Sequence, residues 1–78
     1  MNNQIYAMQF CDNVRFLRKK SGFSKRKMAG CLGIGVYSLQ KIEKNIIPPR
    51  LEWTVILRIQ AQFHIPPYKI FSPLDEME

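Results

Sequence analysis

The stretch "AGCLGIGVYS", residues 29–38, places Gly30, Gly33 and Gly35 within six positions. Glycines this dense either cradle a phosphate or bend the chain between two helices. A phosphate loop needs a strand ahead of it and, in its common form, a Gly-Lys-Ser/Thr ending. Here the helical segment "SKRKMA" comes first, and Gly35 is followed by Val36. A dinucleotide fingerprint requires a strand-turn-helix setting that is also missing. The bend accounts for the residues on both sides. Ser24 has the hydroxyl of an N-cap, and Met28, Ala29 and Leu32 face inward from a short helix. Gly33 follows that stripe by one residue, where a left-handed backbone closes a helix at little cost. Gly35 can cap the next helix, without a side-chain oxygen. Leu39 and Ile42 give that helix, Val36 to Lys44, its buried edge, and Asn45 tolerates a left-handed exit. Ala29 lets the two helix backbones approach. Helix, short turn, helix over residues 24–44 is the pattern of a helix-turn-helix.

Working outward, Ala7, Phe10, Cys11, Val14 and Leu17 recur at three- and four-residue steps, predicting an amphipathic helix from Ala7 to about Ser21. Basic residues occupy its last turn and Gly22 ends it. Residues 1–6 carry no pattern and read as a flexible arm. "IIPPR", residues 46–50, is a stiff connector. A fourth helix follows from Leu51 to Phe63, with Trp53, Ile56, Ile59 and Phe63 as its apolar face. "HIPPYKIF" reads as a turn and a last short helix with proline in its first turn. Trp53 and Phe71 are expected to close the core between the last two helices. Residues 7–72 thus make one all-α domain, followed by an acidic tail over 73–78.

Charge narrows the function. The net charge is +6, but Asp75, Glu76 and Glu78 in the tail hide part of the excess. Between Asn13 and Leu51 stand ten Lys or Arg and one acid, Glu43. A basic field this dense in so small a protein suggests a polyanion, most often nucleic acid; the plainer alternative is a solvated, solubility-promoting surface. No apolar run reaches membrane-spanning length and no signal pattern opens the chain, so a cytoplasmic address is expected. Cys11 and Cys31 are widely separated and read as free buried thiols. His64 is not spaced near either of them, so no metal site and no cofactor is expected. With one histidine and no cluster of acid, base and nucleophile, an enzyme is not expected.

The segment "NVRFLRKKSGFSKRKMAGCLGIGVYSLQKIEKN", residues 13–45, resembles the Cro/cI-type, phage-repressor-like (XRE) helix-turn-helix domains, and the helix order matches through about Phe71. The core of the likeness is "FSKRKMAGCLGI" with "LQKIEKN", where apolar, small and glycine positions fall in register. The resemblance implies a compact five-helix, lambda-repressor-like DNA-binding domain, homodimeric, acting as a bacterial or phage transcriptional regulator. The chain departs from the family at Lys25, where Gln is common, at Gly35, where a hydroxyl residue often caps, and at Asn45, which replaces a common glycine.

In such a motif the second helix lies in the major groove. With Leu39 and Ile42 facing in, Val36, Tyr37, Gln40 and Lys41 face out as base readers. Gln40 suits adenine, Lys41 guanine, and Val36 a thymine methyl. Ser24, Lys25, Arg26 and Lys27 at the start of the first helix are phosphate candidates, as are Lys44 and Asn45. By analogy with the family, Glu43 pairs with Arg18 as a structural ion pair; the alternative is an exposed glutamate. A different reading is a protein-interaction module, such as an antitoxin gripping a toxin. RNA is a weaker third, since no platform of exposed aromatics is apparent.

Overall fold

A computed structural model describes residues 3–47 and 53–73. The described residues form five α-helices and no strand: α1 Asn3–Ser21, α2 Lys25–Leu32, α3 Val36–Glu43, α4 Trp53–Phe63 and α5 Pro67–Ile70. α1 packs on α3 and α5, α2 on α3 and α4, and α4 on α5. One core lies between them, built from Phe10, Val14, Met28, Leu32, Leu39, Ile42, Ile56, Ile59 and Ile70 with smaller neighbours.

Three consecutive helices stop in the same way. Phe23 N–H donates to Arg18 O at 3.1 Å, Ile34 N–H to Ala29 O at 3.0 Å, and Ile46 N–H to Lys41 O at 2.8 Å. Each bond spans five residues and closes over a left-handed residue: Gly22, Gly33 and Asn45, with φ of 71°, 70° and 64°. Carbonyls that the helix leaves without partners are satisfied this way. After the first two stops, the next residue, Phe23 or Ile34, packs against the core. At Gly33 a Cβ would also lie 2.7 Å from Nε of Arg58 on α4. The bend between α2 and α3 therefore needs glycine for its backbone, whereas the exposed Arg58 side chain can swing aside from a Cβ.

The ends of the fold differ from the sequence expectation. α1 begins at Asn3, so residues 3–6, expected in a flexible arm, are helical; residues 1 and 2 lie outside the described residues. Extending a helix already anchored by Phe10 and Val14 needs no new nucleus. Helix four was expected from Leu51, and residues 51 and 52 also lie outside the described set, as do 48–50 of the connector and 74–78 of the tail. Trp53 does not close the core: it is 64% exposed, and Val55 is buried in its place beside Ile56 and Ile59. Both positions flank Ile56 on the helix surface, and α2 and α5 decide which side is covered. Phe71 instead stacks on Phe10 of α1, ring centroids 5.6 Å apart.

α5 is a single turn, too short to hold itself. It is fastened by two amides one turn apart on α1. Asn13 Nδ2 donates to the carbonyls of Ile70 at 2.6 Å and Ser72 at 2.9 Å, and Gln9 Nε2 to that of Phe71 at 2.8 Å. Asn13 is fully buried. No sequence motif announced this clamp; the available signal was a polar residue inside the apolar stripe of α1.

Candidate nucleic-acid interface

α3 buries Leu39 and Ile42 completely, and that fixes which side faces out. Tyr37 is 80% exposed and Val36 36%, Lys41 and Lys44 are exposed, and Gln40 and Ser38 are half-buried. Three of the four expected base readers thus stand in solvent, and Gln40 stands at the edge. Gly35 begins α3 with no side-chain hydrogen bond, leaving the first amides of the helix without a side-chain acceptor.

Ser24, Lys25, Arg26 and Lys27 are all exposed at the start of α2. Ser24 Oγ accepts from Lys27 N–H at 3.1 Å and its extended backbone makes it the N-cap. Its hydroxyl proton remains available to an acceptor. Lys27 is steadied by Phe23, its ammonium 4.7 Å from the ring centre. A cation over an aromatic face is attracted by the ring quadrupole, which restrains an otherwise mobile side chain.

Two arginines of α1 hold the C-terminal end of α3. Arg18 grips the Glu43 carboxylate with two bonds, Nε to Oε2 at 2.5 Å and Nη2 to Oε1 at 3.0 Å, and donates also to Phe23 O at 3.1 Å. The Glu43 side chain is 8% exposed. Its hydrogen bonds hold the Arg18 guanidinium in the charged form more firmly than usual. Arg15 donates to the backbone carbonyl of Glu43 at 2.5 Å and to Asp12 Oδ1 at 2.6 Å. Positive charge at a helix C-terminus also opposes the helix dipole.

One phosphate candidate is also tied to α1. Asn45 was expected to hold a phosphate, but its Nδ2 donates to Asp12 Oδ1 at 3.2 Å and its Oδ1 accepts from Arg15 at 3.3 Å. One Nδ2 proton and the Oδ1 are thus engaged, and the second Nδ2 proton faces solvent on an exposed residue. Asn45 thereby links the exit of α3 to α1. Among the described residues the ion pairs are Arg15–Asp12 and Arg18–Glu43, so Lys25, Arg26, Lys27, Lys41 and Lys44 face solvent without a carboxylate partner there.

No group of three potential metal ligands comes together among the described residues. Cys11 and Cys31 are unpaired; Cys11 is buried, whereas Cys31, also expected to be buried, is half-exposed on α2. No helix among the described residues is long and apolar enough to cross a membrane. The described chain is therefore an all-α, five-helix protein. Comparison with protein-family models, with curated proteins and with solved structures finds no match.

Proposed function

We propose that the protein binds double-stranded DNA sequence-specifically, with α2 and α3 acting as a helix-turn-helix, and that it works as a homodimeric, repressor-like transcriptional regulator. One observation carries the reading: the outward side of α3 presents Val36, Tyr37 and Lys41 beside the cations of α2, while Glu43, the single acid in those two helices, is turned inward onto Arg18. An outward carboxylate there would repel every phosphate within a Debye length.

In this reading α3 enters the major groove. Lys41 donates to guanine, Val36 meets a thymine methyl, and Tyr37 and Gln40 reach the groove edges. Lys25, Arg26, Lys27 and Lys44 hold phosphates, and the Ser24 hydroxyl and the first amides of α2 add neutral donors. One such helix covers a few base pairs, so useful specificity calls for two copies on a palindromic site.

The test is a titration of the full chain, at several salt concentrations, against random duplex DNA and single-stranded RNA. Site selection from a random duplex library follows. The reading expects duplex binding that weakens steeply with salt and a recovered palindrome. Absence of duplex binding at low salt, or preference for single-stranded RNA, refutes it.

A further inference from the structure

α1 and α3 close on basic residues, Arg18, Lys19 and Lys20 in one and Lys41 in the other, where the negative end of a helix dipole favours them. α2 does the reverse. It opens on Lys25, Arg26 and Lys27 with no acid in that turn, so three cations crowd its positive end. From Lys19 to Lys27 the chain carries five Lys or Arg and no acid, and all five are exposed. Among the described residues Asp12 pairs with Arg15 and Glu43 with Arg18, so none of the five has a carboxylate partner there.

Little else holds that turn. The buried residues of α2 are Met28, Ala29 and Leu32, all beyond it. Its anchors are at Ser24, whose Oγ accepts from Lys27 N–H and whose carbonyl accepts from Met28 N–H at 3.0 Å. The Phe23 ring under the Lys27 ammonium adds to the strain, because it keeps that charge beside the helix end. Gly30 weakens the helix again. Its φ is not positive and a Cβ there would meet nothing within 4 Å, so neither backbone nor packing requires glycine. Against alanine, an interior glycine shifts a helix equilibrium by roughly two- to fivefold. Eight residues are also too few to stand on local propensity.

We infer that the first turn of α2 is electrostatically strained in the free protein, and that an anion laid over it relieves the strain, so that ligand binding and the ordering of this turn are coupled. The inference rests on the reading above for the identity of the anion, the phosphates of a duplex, and not for the strain itself. At low salt each cation at the wrong end of a helix shifts its equilibrium by roughly two- to fivefold. Phosphate oxygens reverse the sign of the effect, since they neutralise the three side chains and favour the positive end of the dipole. The chain thus keeps an arrangement that is unfavourable alone and favourable only beneath a polyanion. Binding then stabilises the fold by mass action, and most of all at α2.

General repulsion within a chain of net charge +6 is the rival explanation, and the two helix ends separate them. Lys19→Glu and Lys25→Glu change the net charge equally, at opposite ends of a helix dipole. Lys25 is the cleaner choice in α2, because Lys27 also packs on Phe23. In low-salt urea unfolding without duplex, Lys25→Glu should favour the folded state on the order of three- to thirtyfold. Lys19→Glu should gain nothing. Amide exchange of the free full-length chain should show Lys27 and Met28 opening about tenfold faster than Leu32, and inorganic phosphate should narrow that gap.

A gain from Lys19→Glu as large as that from Lys25→Glu overturns the inference. So does no gain from Lys25→Glu, or an exchange gap that is absent or that phosphate leaves unchanged. A strained first turn in a chain that binds no duplex would refute the DNA reading alone. Duplex binding by a chain in which Lys25→Glu gains no stability would refute this inference alone.

Discussion

Arg18 of α1 and Glu43 of α3 stand 25 positions apart and meet through two hydrogen bonds, with Glu43 almost wholly shielded. The pair turns the last side chain of α3 away from the surface that carries Lys41 and Lys44. A charge pair taken out of water gains little over a hydrophobic replacement, yet removing one member leaves the other uncompensated. Glu43→Gln should therefore destabilise the protein by about 2–4 kcal/mol, near the lower end for pairs because Arg18 keeps some solvent. Urea unfolding measures this. An unchanged midpoint would mean the pair holds nothing together.

Asn13 presents a second buried polar link, between α1 and the turn that ends in α5. Asn13→Ala would strand the carbonyls of Ile70 and Ser72, at a cost of about 1–3 kcal/mol. Asn13→Asp should be worse at neutral pH than in acid. A carboxylate facing two carbonyls is disfavoured, so its folded pKa rises above the unfolded one and stability is lost as pH climbs through it. Unfolding curves for the aspartate variant at acid and neutral pH check the sign.

Gly33 is held by its backbone conformation. Gly33→Ala should cost the roughly 1–2 kcal/mol expected of a left-handed alanine, because the Arg58 side chain that the new methyl would meet is exposed and free to swing aside. Adding Arg58→Ala should therefore recover little of the loss, as urea unfolding of both variants would measure. A double variant much more stable than Gly33→Ala would show that Arg58 is held against the bend.

The proposed division between base and phosphate contacts predicts two kinds of loss. Lys41→Ala should relax sequence choice, whereas Lys25→Ala should weaken all duplexes alike. Four phosphate contacts per copy in a dimer give a slope of log K against log salt near about −7. Equal loss of preference from both variants would contradict the assignment.

Burial pushes the Cys11 thiol up to about 11 from an ordinary 9.0, with Asp12 adding to the shift. Between these values the unfolded chain releases a proton that the folded chain keeps, so stability should fall as pH rises from about 9 to about 11. Cys11→Ala should flatten that decline relative to wild type. At pH 8 a thiol reagent should label the half-exposed Cys31 and reach Cys11 on unfolding. Equal labelling of both in the native protein would count against the buried site.

Much of the fold was written locally. Ser24 as a cap, the left-handed turns at Gly33 and Asn45, and the burial of Met28, Leu32, Leu39 and Ile42 each depend on groups within about six positions of one another. Spacing exposes such groups to reading. The outward facing of Val36, Tyr37 and Lys41 followed from Leu39 and Ile42, because a helix has fixed periodicity. Tertiary structure decided the rest. Val55 and Trp53 flank the same core residue, and only the positions of α2 and α5 choose between them. The tie of Asn45 to Asp12 and Arg15, thirty or more positions away, was likewise not legible from its neighbours. Gln9 and Asn13 acquired a purpose when the chain's far end arrived with carbonyls to satisfy. A sequence fixes which groups need partners. Distance in space, which no local pattern encodes, settles who those partners are.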